Sequence, residues 1–71
     1  MLADKVTDLD NGLRVTFASR PGLLADLAQM MEQERGCCRF LRFRITAEPA
    51  AGEIVLDVTG SPGTREMLRA L

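Results

Sequence analysis

The chain has 71 residues, 46% of them hydrophobic and 27% charged, with a formal net charge of −1. That length holds one domain with a small core, and that hydrophobicity separates it from the weakly apolar, highly charged chains that never fold. The near-zero charge gives no global field for nucleic acid, no apolar run approaches the ~20 residues of a membrane helix, and Met1 to Asp10 lack the apolar stretch of a signal peptide.

The expectation is therefore a single cytoplasmic, soluble domain over residues 1–71, engaging neither nucleic acid nor membrane. A chain this small usually needs a disulfide, a metal, a partner subunit or unusually good packing to gain more than a few kcal/mol, which makes a homodimer an expectation as well.

In chain order, Val6 to Leu9 and Leu13 to Phe17 read as strands around Asp10-Asn11-Gly12, a hairpin signal. An Asn11-Gly12 two-residue loop would set Asp8 against Val15. A three-residue loop with Gly12 left-handed in a bulge sets Leu9 against Leu13 and Asp8 against Arg14, and is preferred because like then faces like. Pro21 suits a first helical turn, and Leu24, Leu27, Met31, Cys38 and Leu41 recur at helical steps, which predicts a helix from about Pro21 to Cys38. Gly36 as a left-handed cap would end it earlier and leave the cysteines in a loop, but the periodicity favours continuation.

From Leu41 to Glu48 the period becomes two, with Leu41, Phe43, Ile45 and Ala47 inward, and Ile54, Leu56 and Val58 repeat the pattern. Joining these strands through Pro49-Ala50-Ala51-Gly52 pairs Glu48 with Glu53, Arg44 with Asp57 and Phe43 with Val58. Ser61-Pro62 then reads as a cap followed by proline at the first position of a short helix with Met67, Leu68 and Leu71 apolar. The sum is an α+β fold of order ββαββα, a two-layer sandwich with a four-stranded sheet and two helices on one face. Its expected core is Leu13, Val15, Phe17, Leu24, Leu27, Met31, Leu41, Phe43, Ile45, Ile54, Leu56, Val58, Met67 and Leu68. Arg14, Thr16, Arg42, Arg44, Thr46, Val55 and Asp57 belong on the outer sheet face.

Chemistry is concentrated in Glu34-Arg35-Gly36-Cys37-Cys38-Arg39-Phe40-Leu41. The chain has no histidine, which removes the usual activator of a serine or cysteine nucleophile, and no phosphate loop, since Gly60-Ser61-Pro62-Gly63 lacks the spacing and lysine of one. The arginines at 35, 39, 42 and 44 supply a positive field expected to favour the thiolate of Cys37 and Cys38, the form that binds metal. Adjacent Cα atoms, ~3.8 Å apart, are too close for an ordinary disulfide.

Three readings follow. The leading one is a non-enzymatic thiol module that binds a soft metal or metalloid, Zn, Cu(I) or Hg(II), through Cys37 and Cys38. Glu34, one turn before Cys38 on the same face, is expected as a third ligand or a proton acceptor, although pairing with an arginine of the neighbouring strand is the commoner fate of such a glutamate. A two-fold dimer would bring four thiols together. The second is an interaction or dimerisation module whose cysteines pack as small apolar side chains. The third is a thiol redox protein using Cys37.

The stretch from Asp10-Asn11-Gly12 through Glu34-Arg35, Cys37-Cys38, Phe40-Leu41 and Phe43 to Gly60, Gly63 and Leu68 resembles a group of short uncharacterised bacterial proteins. They carry E-R-x-C-C-x-F-x-x-F, then a strand hairpin and G-x-x-G-x-x-x-x-L. The resemblance spans about residues 8 to 71; many members have proline where this chain has Arg39, and many extend by a helical segment before the first strand. It implies that Glu34, Arg35, the two cysteines and the following phenylalanine act as one unit.

Overall fold

A computed structural model describes residues 4–50 and 52–70. Leu71 of the second helical pattern and Ala51 of the second hairpin loop lie outside the described residues, as does the start of the segment Met1 to Asp10. The order is ββαββα: β1 (Lys5–Leu9), β2 (Gly12–Phe17), α1 (Leu23–Cys37), β3 (Arg42–Ala47), β4 (Ile54–Thr59) and α2 (Thr64–Arg69). The four strands form one antiparallel sheet in the order β1-β2-β4-β3, an α+β fold. Among the described residues no helix is long and apolar enough to cross a membrane.

The second hairpin has the expected register: Phe43 faces Val58, Arg44 faces Asp57, and Glu48 N–H donates to the Glu53 carbonyl at 3.1 Å. The first does not. Leu9 faces Gly12, Asp8 faces Leu13 and Thr7 faces Arg14, so the loop is Asp10-Asn11 and neither loop considered from the sequence forms. No residue from Asp10 to Gly12 has a left-handed φ. Glycine is required at position 12 for space instead, because a Cβ there would stand 1.9 Å from the Val58 carbonyl oxygen on β4.

The shifted register turns Val6 and Asp8 toward the helix-bearing face. Asp8 therefore misses Arg14 and takes Arg69 of α2, at 2.7 and 3.0 Å. Arg14 pairs across the seam with Asp57 on the outer face, with two hydrogen bonds of 2.8 and 3.0 Å. Arg44, directly opposite Asp57, adds only its through-space charge to that carboxylate, and with Arg14 it holds the Asp57 carboxyl below its ordinary range.

Both helices start in the same way. Arg20-Pro21-Gly22-Leu23 and Ser61-Pro62-Gly63-Thr64 are type II turns, with proline at the second position and a left-handed glycine (φ 83° and 99°) at the third. Leu23 N–H donates to the Arg20 carbonyl at 3.2 Å, and Thr64 N–H to the Ser61 carbonyl at 3.1 Å. The prolines thus precede the helices rather than opening them, and Ser61 offers a backbone carbonyl rather than a side-chain cap.

The core is Phe17, Leu23, Leu27, Ile54 and Leu56, with Val15, Met30, Met31, Phe43, Ile45 and Val58 packed against it. Two expected core residues are corrected: Leu24 is 44% and Met67 37% exposed, whereas Leu23 is the side chain α1 buries, at 1%. On α1 Leu23 rather than Leu24 takes the inward position one turn before the buried Leu27, while Leu27 and Met31 of the expected pattern do pack inward.

Candidate functional site

The inward stripe of α1 continues from Leu23 and Leu27 through Met30, Glu34 and Cys38, at steps of three and four residues. Helix α1 runs unbroken through Gly36, as the periodicity favours, and ends at Cys37. Cys38 leaves the helix (φ −120°, ψ 72°) while its N–H still donates to the Glu34 carbonyl. The chain then turns at once: Leu41 N–H donates to the Cys38 carbonyl at 3.1 Å, and Phe40 stands at the apex of this turn, 56% exposed. A Cβ on Gly60 would lie 3.2 Å from the Phe40 carbonyl oxygen and 2.6 Å from Thr64 Oγ1, so the Cys38–Leu41 turn lies directly against the entry to α2.

Between α1 and α2 an open groove of about 540 Å³ lies beside the core. Val15, Phe17, Leu56, Val58 and Phe43 form its floor. Leu27, Met30, Glu34 and Cys38 supply the α1 wall, Met67 and Leu68 the α2 wall, and Phe40 and Leu41 its end. Among the described residues Glu34 is its only charged lining residue.

Glu34 and Cys38 are in contact. The Cys38 thiol donates to Glu34 Oε2 at 3.6 Å, in half-buried surroundings. Partial burial, then this bond, then the negative charge of Glu34 and finally the neighbouring Cys37 push the Cys38 thiol above its ordinary range. That is opposite to the direction expected from the arginines: the charged group acting on this sulfur is a carboxylate, and it holds the proton in place. Glu34 accepts a hydrogen bond from a thiol that keeps its proton, and among the described residues it has no ion pair with an arginine.

Cys37 is exposed and does not line the groove, so the two adjacent sulfurs leave the helix end toward different surroundings. Both cysteines are free thiols. Among the described residues no three His, Cys, Asp or Glu side chains are grouped so as to hold a metal ion. Arg35, Arg39 and Arg42 are all exposed around this helix end, and none has an acidic partner among the described residues.

The groove is the element that sequence reasoning missed. Of its lining residues Phe17, Leu27 and Leu56 are core as expected, whereas Phe40 and Met67 are exposed at its margin; the signal available in advance is slight: a second helix of under two turns covers little of its half of a four-stranded sheet. No family model matches the chain, and neither a curated protein nor a solved structure matches it.

Proposed function

We propose that this chain is a small non-enzymatic interaction module whose working surface is the groove between α1 and α2, which receives a cluster of apolar side chains from a protein partner. The observation that supports this reading is the open apolar hollow itself, which borders the core and carries exposed aromatic and thioether side chains at its rim. A hollow of about 540 Å³ lies over Phe17, Leu56 and Phe43, with exposed Phe40 and Met67 at its margin. Pockets of ~300–1,000 Å³ with apolar walls and a few convergent polar groups are the usual form of a binding site, and buried apolar anchors carry most interface energy. The Glu34–Cys38 pair supplies the polar landmark in an otherwise oily wall.

The test is a titration with the apolar dye bis-ANS under conditions where the protein unfolds cooperatively. A saturable fluorescence gain is expected, and Met30→Glu, which sets a charge into the α1 wall, is expected to lower the dye's affinity at least about tenfold. No gain at a concentration where the protein is monomeric, or a gain that Met30→Glu leaves unchanged, refutes the groove as the working surface.

A second reading, ligation of a soft metal or metalloid, draws support from one observation. Cys38 Sγ and Glu34 Oε2 lie 3.6 Å apart with the Cys37 thiol next in the chain. An ion would have to displace the proton that Glu34 helps retain, so its affinity should climb with pH. Titrating the reduced protein with Zn(II), Cu(I) and Hg(II) tests this: an ion bound only by the folded state raises stability by ~2.7 kcal/mol at a hundredfold excess over Kd. An unfolding midpoint unmoved by every ion refutes it.

A further inference from the structure

We infer that the partner received by the groove is a second copy of this chain, docked about a two-fold axis with Phe40 of each copy seated in the groove of the other; the inference rests on the groove being a contact surface. A two-fold interface is isologous, so one face must carry both a feature and its complement. This face does. Phe40, 56% exposed at the apex of the Cys38–Leu41 turn, is a projecting aromatic side chain at the end of the hollow that would accept another.

Charge follows the same rule. Glu34 in the groove wall and Arg39 beside Phe40 both lack an ion-pair partner among the described residues, and a two-fold contact offers the arginine of one copy to the carboxylate of the other.

Sedimentation equilibrium from about 1 μM to about 1 mM, spanning weak to moderate affinities, is the test. Wild type is expected to reach dimer mass. Phe40→Asp, on an exposed turn where folding is preserved, is expected to weaken association at least about tenfold. Glu34→Arg and Arg39→Glu should each weaken it alone and restore it when mixed, since only the mixed pair meets with opposite charges. A dimer indifferent to Phe40→Asp overturns this placement. A monomer at every concentration overturns self-pairing altogether, and bis-ANS then separates the two ideas: dye binding that Met30→Glu abolishes leaves the groove as a contact surface for another protein, whereas no dye binding removes both.

Discussion

Three glycine-to-alanine substitutions give opposite outcomes from one chemical change. At Gly12 the new methyl would stand 1.9 Å from the Val58 carbonyl oxygen and 2.8 Å from Thr59 Cα, both backbone atoms that cannot swing away. Strands β2 and β4 must then part by about an ångström at this end, where Gly12 faces Thr59 and Gly60 N–H donates to the Asn11 carbonyl at 2.9 Å. Losing two or three such bonds costs about 1 kcal/mol each, offset by about 0.5 kcal/mol of lost freedom in the unfolded chain, for a net loss of about 2 kcal/mol. In a domain this small that is a fall in Tm of roughly 10 °C. At Gly22 a methyl meets nothing, but its φ of 83° strains any L-residue, so Gly22→Ala should cost about 1 kcal/mol or less. At Gly36, inside α1 with open space around it, alanine should add about 0.5 kcal/mol. Thermal and urea unfolding followed by circular dichroism rank the three. A Gly12→Ala variant as stable as wild type would refute the close approach of β2 and β4 from which this order follows.

The phase of α1 is tested by Leu23→Ala and Leu24→Ala: the first removes a side chain only 1% exposed and should cost about 2–4 kcal/mol in urea unfolding, the second, 44% exposed, under about 1 kcal/mol. Asp57→Asn should cost about 1 kcal/mol at pH 7, a figure kept small by solvent screening of the half-exposed Arg14. Because Arg14 and Arg44 lower the Asp57 pKa in the fold, its contribution is present above the ordinary carboxylate range and lost as pH falls below it, so the gap between wild type and Asp57→Asn should close in acid. The Cys38 thiol shifts the other way: its stabilisation is complete below the ordinary thiol pKa and declines as pH rises past it, so a wild-type loss above about pH 9 should be flattened in Cys38→Ala. Iodoacetamide at neutral pH should label exposed Cys37 well before Cys38, read by mass spectrometry, and equal labelling rates would contradict the Glu34–Cys38 contact.

How far these features were legible depends on whether the information was local. The β3/β4 register was readable because Arg44 against Asp57 and Phe43 against Val58 satisfy both faces at once, so a one-residue slip would cost on each. The β1/β2 register was not, since Asp8 looks misplaced on an inward face until Arg69, 61 residues later, is folded beside it. The Pro-Gly dipeptides at 21–22 and 62–63 are visible turn signals, but each forms the turn before a helix rather than the helix's own first turn. The cysteine segment stood out by composition alone. The inversion of its expected electrostatics turned on direction, because Glu34 lies on the Cys38 face of α1 while the arginines project into solvent.

The strand order carries a kinetic consequence. Each hairpin joins neighbours in sequence, whereas the β2–β4 seam pairs Gly12 with Thr59 and Phe17 with Ile54, so the sheet is completed only when two locally formed halves meet. The loop entropy of that encounter must be met before the seam returns any bonds, which makes the joining of the hairpins the slow step of folding. Arg14 and Asp57 straddle that seam on the solvent side. Their attraction acts while the halves are still approaching, so weakening the pair should slow refolding more than it speeds unfolding, and high salt should act in the same sense.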